Sequence, residues 1–384
     1  MKMKKKRLTM WSLIIVSFSF IIVAIFLPLN QVDEMNVVNE QWLAPPTDHL
    51  ALTYRMLPPV EIAEDRESEY IGSVGLGLWP GEEELVLLES NASGAVLRLE
   101  TPQDLLTAYV ENVSFERKNM ILKVFYNYEE TAFRVVGAED YRTEFLFALD
   151  PFEAVEIPFH LAADLAPSET FSQLTIGAFF APERFSALTT PEEPNFLLLN
   201  SHRHGRMLNF EINYSDEDKE LVLPISPTAP LRQIEDLMFA GVMINLDFDP
   251  PAHAAYLPPN PLQVRAGEQV ELGFVAGAPD TVMTLEHSSD PFEEYLYKVE
   301  EYLIIVMVDW QQVMVNGEPY IRIDETGGFG TGQHGRFFMD APAEAGLYEV
   351  VAFLVHDPTH RSNQINFVPL EIGFRFTLEV VNEN

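Results

Sequence analysis

An all-β fold of two tandem β-sandwich domains behind a single N-terminal transmembrane helix is the class this sequence predicts. Three observations carry that expectation. Leu8 to Leu29 forms a run of 22 residues without a charge, directly after a basic cluster. From Ile71 onward, short apolar runs recur between turn residues about every 8 to 12 positions, the spacing of sandwiches and barrels. The chain beyond the apolar run extends for about 355 residues, long for one sandwich and comfortable for two.

Lys2, Lys4, Lys5, Lys6 and Arg7 make residues 1–7 a basic tail, whereas Asp33, Glu34 and Glu40 stand beyond the apolar run. At 1.5 Å per residue a helix over 8–29 spans roughly 30 Å, the thickness of a bilayer core. The charge bias places the tail in the cytoplasm and the C-terminus outside. A cleaved signal peptide would show the same basic and apolar regions; the length of this run and the missing Ala-x-Ala pattern favour an uncleaved signal-anchor. The expected location is the cell membrane, single-pass, with an extracytoplasmic C-terminus.

The chain has no cysteine, hence no disulfide and no thiol for a lipid anchor, which suits a Gram-positive surface protein. Its net charge is −35; with the five basic tail residues set aside, 19 basic residues face 59 acidic ones, about −40 in the outer part. Such a surface repels nucleic acid, so no nucleic-acid partner is expected. Asn91-Ala92-Ser93, Asn112-Val113-Ser114 and Asn213-Tyr214-Ser215 match a glycosylation pattern that carries no meaning in a bacterium.

Residues 30–70 read as a tether with little regular structure, marked by Ala44-Pro45-Pro46 and Leu57-Pro58-Pro59. The first sandwich is expected over 71–215, with strands at Glu84 to Glu89, Ala95 to Glu100, Met120 to Tyr128, Thr143 to Leu149 and Leu174 to Phe180. A further hairpin joins Phe196 to Leu199 with Met207 to Ile212. Polar and apolar residues interleave over Ile121 to Tyr128 and Arg142 to Phe147, the pattern of strands buried on one face. Pro224 to Pro230 is rich in proline and marks the passage to the second domain, 216–384. Leu231 to Phe239 and Pro291 to Tyr302 are the segments beyond the anchor that read as helical. No internal repeat of fixed period is visible.

In the second domain, Glu344-Ala345-Gly346-Leu347-Tyr348-Glu349-Val350 resembles the acidic-Ala-Gly-x-Tyr-x-Cys stretch of immunoglobulin-like domains, with Val350 at the cysteine position. The resemblance covers roughly residues 261 to 381. It implies that the Tyr348 hydroxyl ties back to the preceding corner. It also implies strand B near Val270 to Phe274, strand C over Leu303 to Trp310 with Trp310 as the core tryptophan, strand E at Arg336 to Met339 and strand F at Leu347 to Val355. Val315-Asn316-Gly317-Glu318 supplies an Asn-Gly hairpin turn.

No nucleophile elbow, zincin helix, phosphate loop or EF-hand loop occurs, and no cofactor is expected. Gly72-Ser73-Val74-Gly75-Leu76-Gly77 opens no helix and reads as a strand. His202-Arg203-His204-Gly205-Arg206 reads as a polar hairpin tip with some capacity for an anion, and Asp247-Phe248-Asp249-Pro250 could lend oxygens to calcium; the metal question stays open. Immunoglobulin-like topology brings three long connections to one end of the second domain: Ala276 to Glu300, the glycine-rich stretch around Gly327 to His334, and His356 to Asn363. His287, Phe329, His334, His356, Asp357, His360 and Arg361 are therefore the candidate ligand-binding residues. The corresponding expectation is a membrane-anchored binding or scaffold protein that presents these loops to a cell-envelope protein or wall glycan. The alternative is an envelope hydrolase with a carboxylate or His-Asp site that no motif announces.

Overall fold

Among the described residues beyond the tether, the alternating pattern resolves into strands, with a single 3-10 turn at Ser186–Leu188. The computed structural model describes residues 52–55, 73–80, 96–99, 101, 103–162, 165, 172–188, 204–213, 223, 232–234, 241–245, 261–277, 301–324, 332–356, 358–359, 370–373 and 375–382. The anchor at 8–29, the strands expected at 84–89 and 196–199, the possible calcium ligands at 247–250 and most of the helix expected at 291–302 lie outside the described residues.

Among the described residues, eleven strands make an N-terminal pair of sheets: β1 (Leu52–Arg55), β2 (Ser73–Pro80), β3 (Val96–Arg98), β4 (Leu106–Val113), β5 (Lys118–Tyr126), β6 (Glu129–Glu130), β7 (Phe133–Val135), β8 (Glu144–Leu149), β9 (Glu153–Leu161), β10 (Ser172–Phe180) and β11 (Gly205–Asn213). One sheet runs β1-β9-β4-β2 with β7 on β9, the other β3-β11-β10-β5-β6 with β8 on β5. Eleven more make a C-terminal pair: β12 (Arg232–Ile234), β13 (Gly241–Asn245), β14 (Leu262–Arg265), β15 (Gln269–Gly277), β16 (Glu301–Val308), β17 (Gln311–Gln312), β18 (Ile321–Asp324), β19 (Gly332–Asp340), β20 (Gly346–His356), β21 (Leu370–Ile372) and β22 (Phe376–Val381). Here the sheets run β12-β19-β15-β13 and β14-β22-β20-β16-β17, with β18 on β16 and β21 on β20.

The four sheets stack as layers around three apolar clusters. Leu122, Phe147, Ile157 and Ile176 belong to the core between the N-terminal sheets. Leu272, Ile304, Phe337 and Val350 belong to that between the C-terminal sheets. Ile121, Phe125 and Phe179 meet Leu303, Ile305 and Phe353 in a third cluster, a seam that joins the two pairs. The seam corrects the expectation of strands buried on one face. Successive side chains of β5 and β16 enter different clusters, so both faces are covered, and the unbroken run Leu303 to Val308 is the sequence mark of such a strand.

The two pairs also repeat one another. Taken in chain order, each strand of the first pair has a counterpart with the same neighbours in the second, from β1 and β12 through β5 and β16 to β11 and β22. β7 and β21 are the additions. β3 lies parallel to β11 as β14 lies parallel to β22. Phe125 faces Glu130 and Thr175 as Met307 faces Gln312 and Val351. Asn127 and Tyr128 turn the chain with φ of 51° and 69°, and Asp309 and Trp310 do so with 50° and 66°. Asn127 N–H donates to Gln173 O at 2.7 Å; Asp309 N–H donates to Glu349 O at 2.7 Å. Counterparts such as Phe125 and Met307, Thr175 and Val351, or Phe210 and Phe376 are separated by unequal lengths of chain, which is why no fixed period shows.

Three further expectations are corrected. β1 places regular structure inside the tether, because Leu52 to Arg55 completes the edge beside β9. The helix expected over Leu231 to Phe239 contains strand β12, held by pairing to β19; pairing partners outweigh weak local propensity. Glu301 and Tyr302, the end of the other expected helix, open β16.

Candidate functional site

The strand ends of the C-terminal pair define one pole. β15 ends at Gly277, opposite Gly332 where β19 begins. β16 begins at Glu301, opposite Asp324 where β18 ends, and its second residue, Tyr302, faces His356, the last of β20. Connections 278–300, 325–331 and the one that begins at 357 are therefore rooted together, as the expected topology requires. At their base Arg322 pairs with Glu301 and lies 4.0 Å from Asp324.

Of the seven candidate residues, His287, Phe329, Asp357, His360 and Arg361 lie outside the described residues. The other two are strand residues rather than exposed loop residues, which corrects that part of the expectation. His334 faces Val275 and Arg232 in β19. It alternates with Phe337 and Met339 of the core and so occupies the outer side of its sheet, yet it is only 1% exposed. His356 is 2% exposed, and its ring meets Tyr302 edge-on at 5.2 Å. Burial pushes its pKa down to about 4, leaving the imidazole neutral at physiological pH. His204 is also buried and stacks at 6.2 Å on Phe179, so it is no exposed anion-binding tip. Among the described residues no group of three or more His, Asp or Glu side chains is placed to hold a metal, and no helix is long and apolar enough to cross a membrane.

The seam has a polar frame that the sequence did not announce, since its members are far apart in the chain. Tyr128 Oη donates to Pro358 O at 2.6 Å, and Trp310 Nε1 donates to Pro182 O at 3.0 Å. The two prolines stand two residues beyond the ends of the counterpart strands β20 and β10. Glu130 N–H donates to Gln312 Oε1 at 2.5 Å, and Gln312 N–H returns to Glu130 Oε2 at 3.2 Å. Such reciprocity is the mark of an isologous interface, here within one chain. Trp310 therefore packs in the seam, not in the core assigned to it; it sits in the turn after β16, where its indole covers Phe179 at 5.1 Å and Arg375 at 5.0 Å.

Charges are buried at two places along this seam. Lys123 pairs with Glu130 and lies 3.8 Å from Glu144, whose carboxylate accepts from Gln311 at 2.8 Å. Burial lowers the Lys123 pKa against the pull of Glu130, and burial raises that of Glu144 against Lys123. Glu349 accepts from Arg375 at 3.1 Å and from Thr377 at 2.8 Å, while Arg375 also donates to the carbonyls of Phe180 and Arg184. Asp309 feels one carboxylate from each group. Burial first, then the Glu144 and Glu349 carboxylates, pushes its pKa up to about 6.

β15 and β19 share one sheet, β16, β20 and β22 the other, which are the B–E and C–F–G groupings of the resemblance. Val350 packs in the core at the cysteine position, and Asn316 and Gly317 turn the expected hairpin with φ of 56° and 83°. Tyr348 Oη donates to Glu344 O at 3.0 Å, the bond that defines the tyrosine corner. The C-terminal pair is a β-sandwich whose strand groupings resemble those of immunoglobulin-like domains.

No family model matches the sequence, and no curated protein matches it. Among solved structures, the C-terminal domain of the Streptococcus agalactiae AgI/II polypeptide BspA aligns over 80% of this chain and 99% of its own, at 7% identity and a TM-score of 0.19. The C-terminal domain of the Streptococcus pyogenes antigen I/II-family protein AspA aligns over 80% and 99%, at 8% identity and 0.19. The E. coli chaperone DraB aligns over 80% and 97%, at 12% identity and 0.20. Likeness of this degree carries no argument, and the fold rests on its own topology.

Proposed function

We propose that the chain is a single-pass, membrane-anchored binding or scaffold protein of a bacterial envelope. Its two tandem immunoglobulin-like domains stand outside the membrane, and the pole of the C-terminal domain meets a protein or wall-glycan partner. One observation supports this most. The repeat joins β4 to β5 through residues 114–117, whereas the counterpart strands β15 and β16 are joined through 278–300. Likewise β8 reaches β9 through 150–152, and β18 reaches β19 through 325–331. At these two places the fold closes with the short connections, so the longer ones serve something other than closure; the third connection, 357–369, has no such contrast, because β10 reaches β11 through 181–204. His287, Phe329, Asp357, His360 and Arg361 are the groups that these and the third connection offer, while His334 and His356 support them from the strands.

The test has two arms. Protease added to intact protoplasts is expected to digest the outer domains while the chain stays in the membrane fraction; trimmed protein in the medium would oppose the anchor. Phe329→Ala with His360→Ala is expected to weaken capture of envelope protein or wall glycan by at least tenfold with unfolding unchanged. Equal capture by the double variant would oppose the pole. His334 is left intact because its replacement would disturb a buried strand position.

A further inference from the structure

His356 stands where the repeat elsewhere has a phenylalanine. Phe180 faces Met120 across β10 and β5 and fills the N-terminal core; His356 faces Tyr302 across β20 and β16 at the same point of the C-terminal pair. A hydrocarbon ring needs nothing more at such a place. An imidazole does, and among the described residues neither Nδ1 nor Nε2 of His356 has a hydrogen-bond partner. Buried polar groups left so are rare in folded proteins and call for a reason. The position suggests one, for His356 is the residue from which the third polar connection leaves, beside Glu301 where the first one ends.

We propose that His356 is an acid-sensitive latch at the root of the C-terminal pole. As a neutral ring it seals the end of the core against Tyr302; once protonated it cannot stay, and the pole ends of β16 and β20 loosen. The surrounding charges do not offer the cation a home. Glu301 of β16 is engaged by Arg322 of β18, and Asp324 stands beside the same guanidinium. β19 brings Gln333 and His334 to this end, and neither forms a hydrogen bond to the ring. β21 brings Glu371 into register only at Leu354.

The direction follows from linkage. An unfolded or released imidazole takes its proton near the ordinary value of 6.5, whereas the buried ring takes it near 4. The closed form is thus fully favoured above pH 6.5. Its ratio to the open form falls about tenfold per pH unit below that, to a limit of about 300-fold near pH 4. The biological sense of the latch rests on the pole being the working surface: an acidic envelope would then release the partner.

Hydrogen exchange of the full chain tests the latch without any partner. Protection of the backbone amides of 301–304 and 353–356, corrected for intrinsic rates, is compared between wild type and His356→Phe at pH 7.5 and 4.5. Wild type is expected to lose about 100-fold more protection than the variant on acidification. Parallel losses in both proteins would overturn the proposal. Should the variant fail to fold, the wild-type imidazole resonances of His356 decide instead. Titration near pH 4 that coincides with loss of protection supports the latch; titration near 6.5, or without any loss, overturns it. Failure here leaves the Phe329 and His360 test of the pole untouched.

Discussion

Asp309 offers a test of the seam in which the sign of a pH effect is fixed by structure. Its carboxylate is half-buried, and Glu144 and Glu349 add like charge, so its pKa lies at about 6 instead of 3.8. A carboxyl with a raised pKa is a charge that the fold disfavours. Stability is therefore full below about pH 4, declines as the pH rises through 6, and stays reduced above that. Asp309→Asn removes the charge and keeps the turn, because Asn is favoured at a φ of 50°. The shift corresponds to about 3 kcal/mol at full weight, and partial exposure reduces the expected gain to about 1–2 kcal/mol at pH 8. Urea unfolding at pH 4, 6 and 8 measures it. The variant should be the more stable protein at pH 8 and indistinguishable from wild type at pH 4. A variant no more stable at pH 8, or one with an equal gain at pH 4, would refute the electrostatic account of the seam.

Two other substitutions probe the same interface. Tyr128→Phe removes the bond to Pro358 O and the acceptor for Asn209, and denaturation should show a loss of about 1–3 kcal/mol from the groups left unpaired. Lys123→Ala leaves Glu130 and Glu144 without their buried cation; a loss of about 3–5 kcal/mol is expected at pH 8, shrinking in acid as Glu144, whose pKa burial raises, takes its proton.

Much of the C-terminal pair was legible because its signals are local. The Asn316-Gly317 turn and the Tyr348 corner each occupy a few adjacent residues, and a turn or a bond across four positions is decided by those residues alone. The seam was not legible for the opposite reason. Lys123 in an alternating strand reads as a solvent-facing residue, yet its side chain is buried in a pair with Glu130, which is itself bonded to the distant Gln312 of β17. The same holds for Trp310, whose position in a turn is local but whose partners, Pro182 and Phe179, belong to the distant pair. The candidate site divides likewise. The shared root of the connections follows from strand order, whereas the burial of His334 and His356 depends on packing that the local pattern does not encode. His356 occupies the same apolar-facing parity as Ala352 and Leu354, a cue that was present but masked by the polar residues after it.

The claim that the long connections serve binding and not folding is tested most directly by exchanging one of them within the repeat. Residues 278–300 are replaced by Ser114-Phe115-Glu116-Arg117, the connection that joins the counterpart strands β4 and β5. The exchanged chain is expected to unfold cooperatively within a few degrees of wild type while its capture of envelope protein or wall glycan falls at least tenfold. A chain that no longer folds, or one that folds and captures its partner as well as wild type, would contradict the account.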